Sequence, residues 1–174
     1  ALIVCPGRGS YGRAQLGSLG DGPIVRWLDD YRAGLGRPTL SALDAAERFS
    51  PRQHLAGEHA SLLTFAGTAV DLAALNPEKV RAVAVTGNSM GWYTALYAAG
   101  ALDLAGAARL VETLGSYQAG NVIGGQVLYP LVDEQWRPSA PLADAVAAAL
   151  ATEGVHLSIR LGGTAVLAGD RAAI

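Results

Sequence analysis

A serine that could act as a nucleophile stands at the centre of residues 87–91, GNSMG. Glycines two positions before and after Ser89 would let the neighbouring backbone approach it without a Cβ clash. The apolar, β-branched run at 80–85 and the Ala-, Leu- and Tyr-rich run after 91 predict a strand, a sharp turn and a helix. The Ser89 hydroxyl would then stand above a sheet. The Met90 amide would point outward at the first turn of the helix, where an unpaired N–H can hold an oxyanion.

This pentapeptide could arise by chance, because the chain has 22 glycines among its 174 residues. The strand before it and the helix after it favour the catalytic interpretation. We therefore predict that Ser89 is a nucleophile on a nucleophile elbow.

The elements that must position Ser89 follow an α/β pattern. A short apolar run at 2–5, closed by Pro-Gly, predicts a buried parallel strand. The glycine-rich loop at 7–12 follows this strand. Since ligands bind at the carboxyl edge of such a sheet, we expect Arg8 to face the same cleft as Ser89. Helical spacing and end signals predict further helices at 23–33, 41–48, 58–75 and 104–117.

The sequence changes character at the glycines around 120–125, which predicts two lobes, 1–121 and 122–174. The second lobe has the predicted order strand (126–132), helix (142–152), strand (155–160), strand (164–168), with Leu-Gly-Gly at the hairpin. This β-α-β-β order suggests a split, ferredoxin-like lobe. Such a lobe needs one more helix and strand, so we expect it to be truncated. The predicted fold is an α/β-hydrolase-like parallel-sheet lobe with a nucleophile elbow, plus this small lobe.

A serine nucleophile needs a base, usually histidine, which follows the serine in chains with this elbow. Only His156 follows Ser89, and it lies on the polar side of an alternating strand, which favours a solvated or cleft-lining role. For His54 and His59 we predict surface or capping roles rather than catalytic ones. The base is therefore expected beyond residue 174, which would make this chain the front portion of an enzyme.

Composition excludes several functional classes. A net charge of −2 gives no field that would attract nucleic acid or an anionic membrane surface. The single cysteine, Cys5, permits no internal disulfide and is predicted to be a buried structural thiol, so a cytoplasmic location is expected. No apolar run reaches the roughly 20 residues of a membrane span, and no basic region marks a signal peptide. No Cys/His ligand spacing and no dinucleotide-binding motif is present, so we predict no metal and no bound cofactor.

These residues together resemble the malonyl-CoA:acyl-carrier-protein transacylase family, the acyltransferases of fatty-acid and polyketide synthesis. The resemblance covers essentially the whole chain. Its motifs are P-G-Q-G-S-Q against residues 6–11, G-H-S-L-G-E against 87–92, A-A-G-A-L against 98–102, R-L-V-x-x-R-G against 109–115 and V-x-x-G against 166–169. Family members are considerably longer, and their catalytic histidine lies after the point that corresponds to residue 174.

The resemblance implies a Ser-His dyad in which Ser89 takes an acyl group from a CoA thioester. A carrier-protein phosphopantetheine thiol then attacks the acyl-enzyme. The oxyanion would be held by the amides of Met90 and Arg8. The expected partners are acyl-CoA, as substrate, and acyl carrier protein.

Several positions depart from the family pattern and identify candidate substrate-binding residues. The family arginine that pairs with the malonyl carboxylate falls at Leu114, so malonyl specificity is doubtful. Arg8 could replace that arginine, or it could pair with Glu58, which falls near a family glutamine beside the site. Asn88 and Trp92 replace a histidine and an acidic residue and would reshape the entrance.

Two alternatives to acyl transfer stay open. A serine acyl hydrolase, an editing thioesterase on the same scaffold, would differ only in passing the acyl group to water. A degenerate transacylase with a non-catalytic role in assembly is favoured somewhat by the four changed motif positions.

Overall fold

The structure is a computed structural model that describes residues 1–174. The chain divides into two compact units, 1–120 and 121–174. None of its helices is long and apolar enough to cross a membrane.

The first unit surrounds a two-stranded parallel sheet with helices. Its elements are β1 (Leu2–Cys5), a 3-10 helix (Arg13–Gln15), α1 (Pro23–Gly34), α2 (Leu40–Asp44), α3 (Pro51–His54), α4 (Gly57–Ala73), β2 (Ala84–Gly87), α5 (Gly91–Ala98) and α6 (Leu104–Gly120). In the sheet, Leu2 pairs with Ala84 and Cys5 with Gly87, so both strands end at the same edge. The expected mixed α/β architecture with a parallel sheet is confirmed.

Helix α4 runs through the core of the first unit. Residues 60–66 and Ala69 are all buried along it, as its nearly uninterrupted small and apolar sequence predicts. The core is completed by side chains from the loop after β1, from α1, α2 and α6, and from Met90. Cys5 is fully buried, which confirms its predicted place. Burial also raises the pKa of the Cys5 thiol.

Four local predictions need correction. The strand at 2–5, predicted to be buried, is buried only at Cys5, since Leu2 and Val4 are exposed. The strand before Ser89 begins at Ala84 rather than at residue 80, because β2 pairs only with the short β1. The helix predicted at 41–48 ends at Asp44, whose carboxylate instead accepts hydrogen bonds from the Tyr11 hydroxyl and from backbone amides of the loop after β1. Helix α3 was not predicted, although Pro51 stands at its first turn, a favoured position for proline.

The second unit is a three-stranded antiparallel sheet with one helix. Its elements are β3 (Gly124–Pro130), α7 (Ala140–Leu150), β4 (Val155–Leu161) and β5 (Thr164–Asp170), and the strand order is β3-β5-β4. The predicted β-α-β-β order is therefore present, and Gly162 takes a positive φ of 57° in the β4–β5 hairpin. A small core forms where α7 packs on the sheet, with Val146, Ala165 and Leu167 at its centre. The ferredoxin-like assignment of this unit stays a prediction.

Candidate active site

Ser89 lies at a corner between the end of β2 and the start of α5. Its backbone φ is +52°, in the left-handed region that residues other than glycine rarely adopt. Such a conformation costs on the order of 1–3 kcal/mol and persists only where the surrounding structure enforces it. The Ser89 side chain is exposed and makes no hydrogen bond with another group of the chain.

The two glycines that flank Ser89 are required by close backbone approaches. A Cβ at Gly87 would overlap the Gly91 carbonyl and lie 2.6 Å from the Trp92 nitrogen. A Cβ at Gly91 would overlap the Cys5 carbonyl and lie 2.8 Å from the Pro6 oxygen. The first approach packs the end of β2 directly against the start of α5. The second packs the start of α5 against the end of β1.

The loop after β1 lies directly against this corner. The Asn88 amide donates to the Cys5 carbonyl oxygen at 3.2 Å. A Cβ at Gly7 would lie 3.1 Å from the Asn88 carbonyl oxygen and 3.6 Å from the Ser89 Cβ. The amides of Arg8 and Met90 donate no hydrogen bond to another group of the chain. Two free N–H donors thus stand in the segments that meet at Ser89.

The Arg8 side chain is exposed and extends over the start of α4. A Cβ at Gly57 would lie 3.1 Å from Arg8 Nη1, so the guanidinium occupies the space that this glycine leaves open. Glu58 does not pair with it: the Glu58 carboxylate lies 3.8 Å from Arg37 and 3.7 Å from the His59 ring. The suggested Arg8–Glu58 pair is wrong, because α4 directs the Glu58 side chain toward Arg37.

The remaining predicted site residues lie on different elements of the first unit. Asn88 is exposed beside Ser89 at the corner, and Trp92 is 58% exposed in the first turn of α5. Leu114 is half-buried on α6. Their roles toward a substrate stay predictions.

Solved structures similar to the chain cover nearly all of it. The malonyl-CoA:ACP transacylase of Synechocystis sp. PCC 6803 aligns with 99% of this chain and 55% of its own, with a TM-score of 0.77 and 20% identity. A loading acyltransferase from the avermectin modular polyketide synthase aligns over the same shares, with a TM-score of 0.70 and 22% identity. A chain in the structure of a type II polyketide synthase acyl-carrier protein in complex with its malonyl-transacylase also aligns over these shares, at a TM-score of 0.68 and 22% identity. The chain has the fold of the part of these transacylases that aligns with it.

The resemblance inferred from the motifs is thus confirmed at the level of the fold. The chain spans about 55% of the length of the transacylase structures it matches. No protein-family model and no curated relative matches the sequence. At this level of identity, the chemistry of Ser89 has to be argued from the geometry of the chain itself.

A buried charge network, which the sequence analysis missed, links α1, α4 and α6 of this transacylase fold. Arg32 is fully buried, and its Nη1 donates to the Glu58 carbonyl oxygen at 2.9 Å and lies 3.3 Å from the Glu112 carboxylate. Its Nε donates to the Pro38 carbonyl oxygen at 2.6 Å. Arg37 approaches the other Glu112 oxygen at 3.0 Å. One buried carboxylate is therefore shared by two guanidinium groups.

The sequence did carry a signal for this network. Arg32 stands four residues after Leu28 and seven after Val25, on the apolar face of α1. An arginine on such a face must be paired if it is buried. Its partners lie up to 80 residues away along the chain, so the spacing alone could not name them.

His59 belongs to the same network. Its Nδ1 lies 2.8 Å from Arg32 Nη2, and since a guanidinium can only donate, Nδ1 accepts and the neutral ring carries its proton on Nε2. Burial, and after it the Arg32 charge, lower the pKa of His59. Burial and the Glu112 charge raise the pKa of the neighbouring Tyr31. His59 is thus held neutral by its neighbours.

The other histidines lie on separate parts of the chain. His54 is fully buried, which excludes the surface role among the predicted surface or capping roles. Its Nε2 lies 2.9 Å from the Leu43 carbonyl oxygen and its ring stacks on Phe49. His156 is exposed on β4 of the second unit, where it lines a cavity of about 660 Å³ with Gln126 and Asp170.

Within the first unit, neither His54 nor His59 forms a hydrogen bond with Ser89. No group of three or more His, Cys, Asp or Glu side chains could hold a metal ion.

Proposed function

We propose that this chain carries the nucleophile of an acyltransferase that moves an acyl group from CoA to an acyl carrier protein. The observation that carries the proposal is the strained conformation of Ser89 between two glycines that cannot accept a Cβ. A corner built at this cost, with an exposed hydroxyl, supports the proposal of a nucleophile elbow. The transacylase fold supports acyl transfer as the reaction.

In the first step, the Ser89 oxygen attacks the thioester carbonyl carbon and its proton passes to a base. The carbonyl oxygen becomes an oxyanion, which accepts hydrogen bonds from the free amides of Met90 and Arg8. The C–S bond then breaks, and CoA leaves as its thiol after taking a proton. Ser89 is left as an acyl ester.

In the second step, the pantetheine thiol of the carrier protein attacks the acyl ester. The thiol loses its proton to the base, the same two amides hold the oxyanion, and the Ser89 oxygen leaves with a proton. A new thioester is released on the carrier protein. That one similar structure is a carrier protein in complex with its malonyl-transacylase supports this acceptor.

The base is expected to be a histidine outside the first unit. Arg32 occupies Nδ1 of His59, and the ring nitrogens of His54 are bonded to the backbone of Ser50 and Leu43. Neither is free to accept a proton from Ser89. The intact protein should therefore complete the Ser-His dyad with a residue that its own sequence supplies elsewhere.

The test is acylation of Ser89 in the intact protein. The protein is exposed to a series of acyl-CoA thioesters, and the mass of the peptide containing Ser89 is measured. One acyl adduct is expected in the wild type and in Ser18→Ala, an exposed serine of the same unit, and none in Ser89→Ala.

The fate of the acyl group separates the alternatives. Transfer to carrier protein faster than release into water supports the transferase, whereas the reverse would identify an acyl hydrolase. A folded protein that forms no adduct with any thioester would refute catalysis and favour a role in assembly.

A further inference from the structure

The Arg8 guanidinium is a cation without a partner. No carboxylate lies within ion-pair distance of it, and it donates no hydrogen bond to the chain. Glu58, the acidic residue that the sequence suggested as a partner of Arg8, is taken by Arg37 and His59. The charge of Arg8 is therefore available to a ligand.

The place of this guanidinium is defined by small residues of two helices. The Cβ position at Gly57 is 3.1 Å from Arg8 Nη1, 2.9 Å from the Gly115 carbonyl oxygen and 3.3 Å from the Ala119 Cβ. The side chain thus lies where the start of α4 meets α6, next to the turn that carries Leu114. A side chain larger than that of glycine at 57 would displace it.

The start of α4 also contributes to the positive potential there. Helix α4 has 17 residues, and its N-cap residue, Ala56, provides no side-chain hydrogen bond to the first amides. The positive end of the helix dipole adds to the Arg8 charge, although Glu58 in the first turn of α4 offsets part of it. The guanidinium is also tied to the Ser89 corner through its own backbone, because Arg8 directly follows Gly7, which contacts Asn88 and Ser89.

We infer that the Arg8 side chain binds an anionic oxygen group of the thioester substrate, so that Arg8 selects the substrate while its amide serves the oxyanion. The inference rests on the proposed function of Ser89. The anion has two possible sources, a carboxylate at the far end of the acyl group or a phosphate of the CoA or pantetheine arm. Both bind a guanidinium through charge-assisted hydrogen bonds.

The experiment compares Arg8→Gln and Arg8→Lys with the wild type in the intact protein. Both variants keep the backbone amide, so they change only the side chain. Arg13→Gln is the matched control, because Arg13 is exposed in the 3-10 helix that directly follows the loop. The probes are acetyl-CoA, malonyl-CoA and succinyl-CoA, together with the acetyl and malonyl thioesters of N-acetylcysteamine, which contain no phosphate. The readouts are the rate of Ser89 acylation and, in Ser89→Ala protein, the equilibrium affinity for each probe.

If the ligand is a carboxylate, Arg8→Gln should reduce the affinity and the acylation rate about 10- to 100-fold for malonyl-CoA, for succinyl-CoA and for the malonyl thioester of N-acetylcysteamine. The values for the two acetyl thioesters should stay unchanged. A phosphate ligand predicts an equal loss for all three CoA thioesters and none for the N-acetylcysteamine thioesters. In either case Arg8→Lys should recover part of the loss and Arg13→Gln should have no effect.

The inference is overturned if Arg8→Gln changes the affinity and acylation rate for none of the probes, or if it lowers them equally for all five. The binding measurement distinguishes this from failure of the proposed function. A protein that never acylates Ser89 refutes the transferase, and the affinities in Ser89→Ala protein still decide whether Arg8 binds an anion.

Discussion

Replacement of Gly91 by alanine tests whether the Ser89 corner depends on its contact with the end of β1. The new Cβ would lie 2.8 Å from the Pro6 carbonyl oxygen and still closer to that of Cys5. This is about 0.7 Å short of an ordinary contact of about 3.5 Å, and both obstacles are backbone atoms that cannot rotate away. The corner and the end of β1 must therefore separate.

The expected cost has two parts. Overpacking of this kind destabilises a protein by about 1–3 kcal/mol. The same displacement moves the Met90 amide away from the Arg8 amide, and a misplacement near 1 Å can reduce a rate by about 100-fold. Gly91→Ala should thus lower the unfolding free energy and, if Ser89 is the nucleophile, reduce its acylation rate more than the stability loss would explain.

The assay combines urea unfolding, followed by circular dichroism, with the mass of the Ser89 peptide after a fixed time with acyl-CoA. Gly34→Ala is the matched control, because nothing lies within 4 Å of a Cβ at this last residue of α1. The control should be unchanged or more stable by up to about 1 kcal/mol, since alanine favours a helix. If Gly91→Ala unfolds at the urea concentration of the wild type and acylates at the same rate, the close approach at the corner is not what holds Ser89.

Three further predictions concern the buried polar groups of the first unit. Arg32→Met should lower the unfolding free energy by about 3–5 kcal/mol, because it leaves the buried Glu112 carboxylate and two carbonyl groups with fewer hydrogen-bond donors. The control Arg48→Met, at an exposed arginine, should change it by less than about 0.5 kcal/mol. Equal urea midpoints for the two variants would contradict this prediction. Since the folded state lowers the pKa of His59, the stability that depends on neutral His59 is complete above about pH 6.5 and is lost as the pH falls below it. His59→Asn should therefore lose less unfolding free energy than the wild type between pH 7 and pH 5. Parallel pH profiles of the two proteins would show that the pKa of His59 does not change on folding. Thr94 is fully buried with an unpartnered hydroxyl, so Thr94→Val should raise the unfolding free energy by about 1 kcal/mol in the same assay, and a loss of stability would mean that the hydroxyl has a partner in solution.

The corner around Ser89 could be predicted because its determinants are local. A β-branched run, two glycines at fixed offsets and a helix-forming run lie within about twenty residues, and each acts through backbone sterics that the residue type alone sets. Helix α4 was predictable for a similar reason, since its apolar positions recur at helical spacing. The strand bounds were less certain, because the length of β2 depends on the partner strand β1, some 80 residues earlier.

The polar surroundings of the corner could not be predicted in this way. Whether Glu58 faces Arg8 or Arg37 depends on the rotation of α4 about its axis, which packing against α1 and α6 determines. The sequence left both pairings possible, and the structure excludes the one with Arg8. The unpaired charge of Arg8 follows from that rotation.

The sequence by itself determined the nucleophile candidate, the order of the elements apart from α3 and the 3-10 helix, and the resemblance to the transacylases. Each of these depends on residue types at short spacing. Only the tertiary structure decided that Arg32 is buried against Glu112, that His54 is buried and His59 neutral, and that Arg8 extends over Gly57 without a partner. These features join segments far apart in the chain. Their energies depend on which charges share a site from which water is excluded, and that is set only when the helices pack.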